Sequence, residues 1–382
     1  MRTYPESSAR FDLGEAIMLL IFIAGGYVDG YAHNHFDSIE SFFTPWHAIL
    51  YGGFALSALY VLIPAFRNRR AGYDWAHCLP EGYDITLWGI ALFAVAGFCD
   101  MIWHIVFGIE ANIDALMSPP HIALFAATLM MAGGPVRSIV RRNDPDRTSW
   151  NKNAAFVLVM LFFFMEFGFL MMAWPVTGNG DASPTFSNTG AFWTQHVRDI
   201  EAPSASGGSA DLGGIHALDR VEASAGKDEK TTKFTDSLLR MGAASVMIFA
   251  AMLSGILLYV VKVGRVPVGS FTVLVFVSTA AESVMRELSL PSSFMIPQIV
   301  LGLIAGIAID LLYLWLKPTF NDKRKLYSFA FAAPAVFMVL YFITRMLAGG
   351  VWWSGHLIAG SCVYAGGIGL LLAILASRSE FA

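Results

Sequence analysis

The chain has 382 residues, 56% hydrophobic and 14% charged, with a formal net charge of −4. Long apolar runs recur throughout, which places it among polytopic membrane proteins, and the acidic balance leaves no basic surface for nucleic acid. Its three cysteines, Cys78, Cys99 and Cys362, form no Cys-x-x-Cys pair, which argues against a thiolate metal site or a disulfide scaffold.

Ten candidate spans of about twenty residues follow in chain order: 13–33, 44–65, 86–109, 118–140, 153–175, 236–262, 268–288, 294–316, 326–347 and 352–377. They predict an all-α membrane protein built of outward-pointing helix hairpins. Residues 1–140 hold two hairpins, 141–175 the fifth span, 176–235 a polar insert and 236–382 a five-span bundle. Basic residues follow every second span: Arg67, Arg69 and Arg70; Arg137, Arg141, Arg142 and Arg147; Lys262 and Arg265; Lys317, Lys323, Arg324 and Lys325; then Arg378. The loops 34–43 and 110–117 contain no Lys or Arg. The positive-inside rule therefore predicts cytoplasmic termini in a bacterial-type inner membrane. Arg2 and Arg10 precede the first apolar run as in a signal peptide, but no small-residue cleavage site follows, so a retained span is expected.

The first two hairpins repeat one frame. Gly26, Tyr27, Asp29, His33, Phe36, Thr44, Pro45, His47, Leu50 and Tyr51 answer to Gly97, Phe98, Asp100, His104, Phe107, Ser118, Pro119, His121, Leu124 and Phe125. Asp and His four apart share a helix face. Thr44-Pro45 and Ser118-Pro119 read as an N-cap followed by proline at the first helical position. His47 and His121 then fall in the first turn of the second helix, facing the end of the first. Each hairpin can offer one carboxylate and two imidazoles at a single point, a ligand set suited to a divalent transition metal. The candidate metal ligands are therefore Asp29, His33, His47, Asp100, His104 and His121, on the extracytoplasmic side.

Other residues are candidates of a second rank. His35 has no counterpart, Val106 standing in its place, and reads as a supporting group or an exposed histidine, with a ligand role as the alternative. Glu166 lies inside an apolar run, where a carboxylate needs a partner or water. His77 and Cys78, in the loop 66–85, read as surface residues. The insert 176–235 is flexible in composition from Ser204 onward, and His196 within it could approach a metal from outside. The insert could equally dock another membrane subunit. In the second half, Glu282 with Arg286 and Glu287, and His356 after a Ser-capped helix start, suggest degenerate copies whose metal positions became ion pairs. Asp310 reads as a helix–helix hydrogen-bonding group or a proton site. Phe36, Trp46, Trp103 and Phe107 could line a dry pocket.

Two imidazoles and a carboxylate suit copper, non-haem iron or zinc. Haem fits less well, since bis-His haem needs facing histidines inside the bilayer without interleaved carboxylates. The motif Asp-x3-His followed by a His at the next helix start resembles the copper site in the C subunit of the membrane-bound copper monooxygenases, the methane and ammonia monooxygenase family. That resemblance implies copper at Asp29, His33 and His47, or at Asp100, His104 and His121, and oxygen chemistry on an apolar substrate. It covers the two hairpins only. This chain departs from that subunit in having more spans, Asp as both carboxylates and a longer second spacer. Its frame is otherwise similar to that of uncharacterised multi-spanning bacterial proteins with an SPPH segment, which implies no activity. Three functions remain in view: a metal-dependent membrane oxidoreductase, a transporter or metal permease, and a scaffold subunit of a larger complex.

Overall fold

A computed structural model of the chain describes residues 4–35, 41–108, 118–142, 149–171, 229–264, 266–285, 292–348 and 353–378. Among these residues the fold is all-α. Ten helices follow in order: α1 (Ala9–His35), α2 (Pro45–Arg70), α3 (Asp84–Phe107), α4 (Pro119–Arg142), α5 (Trp150–Met171), α6 (Glu229–Val263), α7 (Ser270–Met285), α8 (Ser292–Leu316), α9 (Lys323–Ala348) and α10 (Gly355–Arg378). Nine of them are long and apolar enough to cross a bilayer. The exception among the described residues is α7, whose 16 residues reach about 24 Å, short of a hydrocarbon core of about 30 Å.

The chain divides into two compact units, Met1–Phe167 with Val263–Ser270, and Gly168–Lys262 with Phe271–Ala382. In the first, α1 packs along α2 and α3 along α4, while α1 also meets α4 and α2 meets α3. Small residues set these approaches, as expected where apolar association alone gives no driving force. A Cβ on Gly53 would stand 2.7 Å from the Cα of Phe22, so α2 can lie this close to α1 only with glycine there. Phe22 and Phe93, equivalent in the two copies of the repeat, meet edge to face with centroids 5.0 Å apart. The fifth helix joins the same unit: the Tyr27 hydroxyl donates to the Met165 carbonyl at 2.9 Å.

The predicted helix starts form as the capping chemistry dictates. Thr44 is the N-cap of α2, its Oγ1 accepting from the His47 amide at 3.1 Å, with Pro45 at the first helical position. Ser354 does the same for α10, accepting from Leu357 N at 3.3 Å.

At the opposite end of the first unit lies a polar cluster. Arg142 pairs with Asp12, whose Oδ1 accepts from the Tyr83 hydroxyl at 2.8 Å. One turn further along α1, Ser57 Oγ donates to the fully buried Glu15 at 2.8 Å. Desolvated carboxyls need such partners. Cys78, expected at the surface, is instead fully buried beside this end: Asn68 holds its carbonyl at 2.9 Å and its thiol points to the Trp75 carbonyl at 3.4 Å. Burial pushes that thiol up from its ordinary pKa. Its neighbour His77 is half-buried and pairs with Asp74 at 2.7 Å, holding that carboxyl below its usual range.

In the second unit α8 packs along α9 and α9 along α10. Asp310 on α8 takes up the start of α7, accepting from Thr272 N at 2.8 Å and Thr272 Oγ1 at 2.6 Å. The helix–helix hydrogen bond, one of the two roles read for Asp310, is therefore formed.

Candidate metal centre

The last two turns of α3 and the first turn of α4 bring Asp100, His104 and His121 together. Their ligand atoms lie within 4.8 Å of one another, so this group could hold a metal ion. Asp100 and His104 are one helical turn apart on α3, and His121 enters from the Ser118-Pro119 start of α4. His121 Nε2 lies 3.2 Å and His104 Nε2 3.5 Å from Asp100 Oδ1. Ligands about 2.05 Å from a tetrahedral ion stand about 3.3 Å apart, so both separations match an edge of such a coordination shell. The side chains of Asp100 and His104 are each 3% exposed and that of His121 22%, so the group is shut from one side and open beside His121.

The far nitrogens explain the ring orientations. His104 Nδ1 lies 3.3 Å from the Gly108 carbonyl, and His121 Nδ1 lies 2.9 Å from Ser118 Oγ. A carbonyl only accepts, so Nδ1 of His104 carries the proton, and in the neutral ring Nε2 presents a lone pair. A lone pair facing a carboxylate at 3.5 Å is repulsive unless a cation stands between them or the ring takes a second proton. Metal-bound imidazoles are held in this way, through the ring nitrogen that does not ligate.

The first hairpin places its Asp29 and His47 in the same relation beside it. His47 Nε2 lies 3.5 Å from Asp29 Oδ1, and its Nδ1 lies 2.6 Å from the Phe42 carbonyl. Phe42 stacks on His47 with centroids 4.7 Å apart and stands 6.0 Å from the His104 ring. The His47 and His104 rings are themselves 6.5 Å apart. The two motifs are therefore neighbours at one end of the four-helix group, opposite the Asp12–Arg142 end. His33 belongs to α1, one turn beyond Asp29, but its side chain and that of His35 lie outside the described residues, as does His196.

The remaining candidates are not in this cluster. Glu166 is buried in α5, its Oε1 accepting from Thr128 Oγ1 at 2.6 Å; Thr128 is two turns beyond His121 on α4. Glu282 accepts from Ser278 at 3.3 Å within α7, and His356 is exposed in the first turn of α10. Phe107 does not line a pocket: it is 67% exposed and packs on Trp103 with centroids 4.5 Å apart. Phe42, Asp12 and Glu15 are not among the residues the sequence singles out, and Tyr51 enters there only as a frame position of the repeat. Asp12 and Glu15 had a signal, two acids three apart inside the first apolar run; Tyr51 had one too, a hydroxyl where the second copy carries Phe125. Phe42 had none, since its place beside both imidazoles depends on the packing of α2 against α3.

The chain matches no family model, no curated protein and no solved structure.

Proposed function

We propose that the chain is a membrane metalloprotein, a copper or non-haem iron oxidoreductase of the monooxygenase type, with its metal centre at the extracytoplasmic ends of α1 to α4. The observation that carries the reading is the orientation of His104 and His121. Their Nδ1 atoms are held by Gly108 and Ser118 while both Nε2 atoms converge on Asp100. Two imidazoles and a carboxylate leave coordination positions open, as a catalytic ion needs and a structural one does not. Copper is the first choice because the Asp-x3-His…His hairpin resembles the copper monooxygenase motif; iron and zinc take the same donors. When bound, a copper or iron ion would supply redox chemistry at the membrane surface. The protein's own part is to fix the ligands, exclude water on the Asp100 side and admit an apolar substrate from the bilayer. The loops beside the motifs lack Lys and Arg, which supports the outward orientation.

One observation favours a second reading, a metal-free clasp between helices: separations of 3.2 Å and 3.5 Å also suit an imidazolium paired with a carboxylate. Metal content separates the two. Full-length protein purified in detergent from metal-replete cells is analysed by mass spectrometry, alongside Asp100→Asn, His104→Ala and His121→Ala. Near-stoichiometric copper or iron, lost in all three variants, supports the metal centre. Folded wild type without metal overturns it and leaves the clasp.

A further inference from the structure

We propose that the Tyr51 phenol is a hydrogen-bond donor to the non-protein ligand, a water molecule or small anion, of the ion that Asp100, His104 and His121 would hold. The inference rests on the metal-centre reading above and adds a positioning residue to it.

Tyr51 stands one turn after His47 on α2, on the same face. Its ring lies 6.5 Å from His47, 5.8 Å from Phe42 and 6.0 Å from Phe93, centroid to centroid. Across the interface it lies over Gly97 of α3. A Cβ at Gly97 would come within 2.8 Å of a ring carbon and 3.0 Å of the hydroxyl oxygen. Gly97 is three residues before Asp100 on the same helix face, so the phenol oxygen sits about one turn beneath that carboxylate. Asp100 and Asp29 are both electrostatic neighbours of the phenol.

The hydroxyl oxygen is shielded from the surface yet has no hydrogen-bond partner among the described residues. A buried hydroxyl in that condition costs free energy that a phenylalanine would avoid. The repeat shows that the frame accepts phenylalanine, since the second copy carries Phe125 at the equivalent position. An oxygen at this position, about one turn from the Asp100 carboxylate, fits a donor whose partner arrives with the ion. The ligand class is a small oxygen or nitrogen donor.

Azide is the probe. Full-length protein in detergent is loaded with Cu(II), copper is counted by mass spectrometry, and azide is titrated through its charge-transfer absorption. Tyr51→Phe is expected to keep the wild-type copper content and to bind azide about fivefold to tenfold more weakly. Gly97→Ala, which pushes on the ring without touching a proposed ligand, is expected to weaken azide with the hydroxyl still present. Azide affinity within about twofold of wild type in copper-replete Tyr51→Phe overturns the proposal alone, since a single lost hydrogen bond moves it further. So does loss of copper from that variant, which would make the phenol a ligand, and so does copper-loaded wild type that takes no azide. Wild type that binds no copper overturns the metal-centre reading together with this one.

Discussion

His47 of the first hairpin and His104 of the second stand ring beside ring, 6.5 Å apart, with Phe42 against both. Two copies of a repeat thus place their imidazoles in one neighbourhood. The expected consequence is coupling. His47→Ala should weaken metal retention by Asp100, His104 and His121 about tenfold, although it removes none of them. Competition with a graded chelator measures this, and unchanged affinity would mean that the two motifs act independently.

Ser118 Oγ lies 2.9 Å from His121 Nδ1, whereas His104 is oriented by the main chain at Gly108. His121 is therefore the imidazole whose orientation depends on a replaceable side chain. Ser118→Ala should reduce metal affinity on the order of tenfold to a hundredfold, the usual effect of removing a group that orients a ligating histidine. Ser118→Thr, which keeps the hydroxyl, should restore most of it. Equal affinities in wild type and Ser118→Ala would sink the idea.

Glu166 is almost wholly buried and takes its hydrogen bond from Thr128 at 2.6 Å. Thr128→Val preserves shape and removes the donor, which should cost about 1–3 kcal/mol. Chemical unfolding in mixed micelles would report it. Thr128→Ser should behave like wild type, and the double variant Thr128→Val, Glu166→Leu should recover part of the loss because both polar partners are then gone.

Asp322 begins α9, its Oδ1 accepting from Lys325 N at 3.2 Å and its Oδ2 facing Lys325 Nζ at 3.3 Å. The backbone hydrogen bond, followed by the lysine, holds this exposed carboxyl below its ordinary pKa. A depressed folded value means that the stabilisation is present above the unfolded value of about 3.9 and is lost as pH falls through the folded one. The melting temperature of Asp322→Ala should therefore lie below that of wild type at neutral pH, and the gap should narrow on acidification. A gap that widens instead would refute the assignment.

Much of this protein is legible without coordinates because it is local. Twenty-residue apolar runs are read from composition, since bilayer thickness sets helix length at about 1.5 Å per residue. Asp100 and His104 share a face through helical periodicity alone, and the Thr44 cap follows from one residue type beside one proline. That Asp29 and Asp100 answer to each other needs only the repeat. What the tertiary structure decided is every relation between helices. Which nitrogen of His121 faces Asp100, why Phe42 packs beside two imidazoles, what pairs with Asp12, and why Asp310 ends up capping α7 rather than standing alone in its helix are settled by approach distances. Those distances depend on where small residues let backbones meet, as Gly53 does against Phe22 and Gly97 beneath Tyr51. A linear sequence shows that a glycine is present; only the packed helices show which side chain fills the space it leaves.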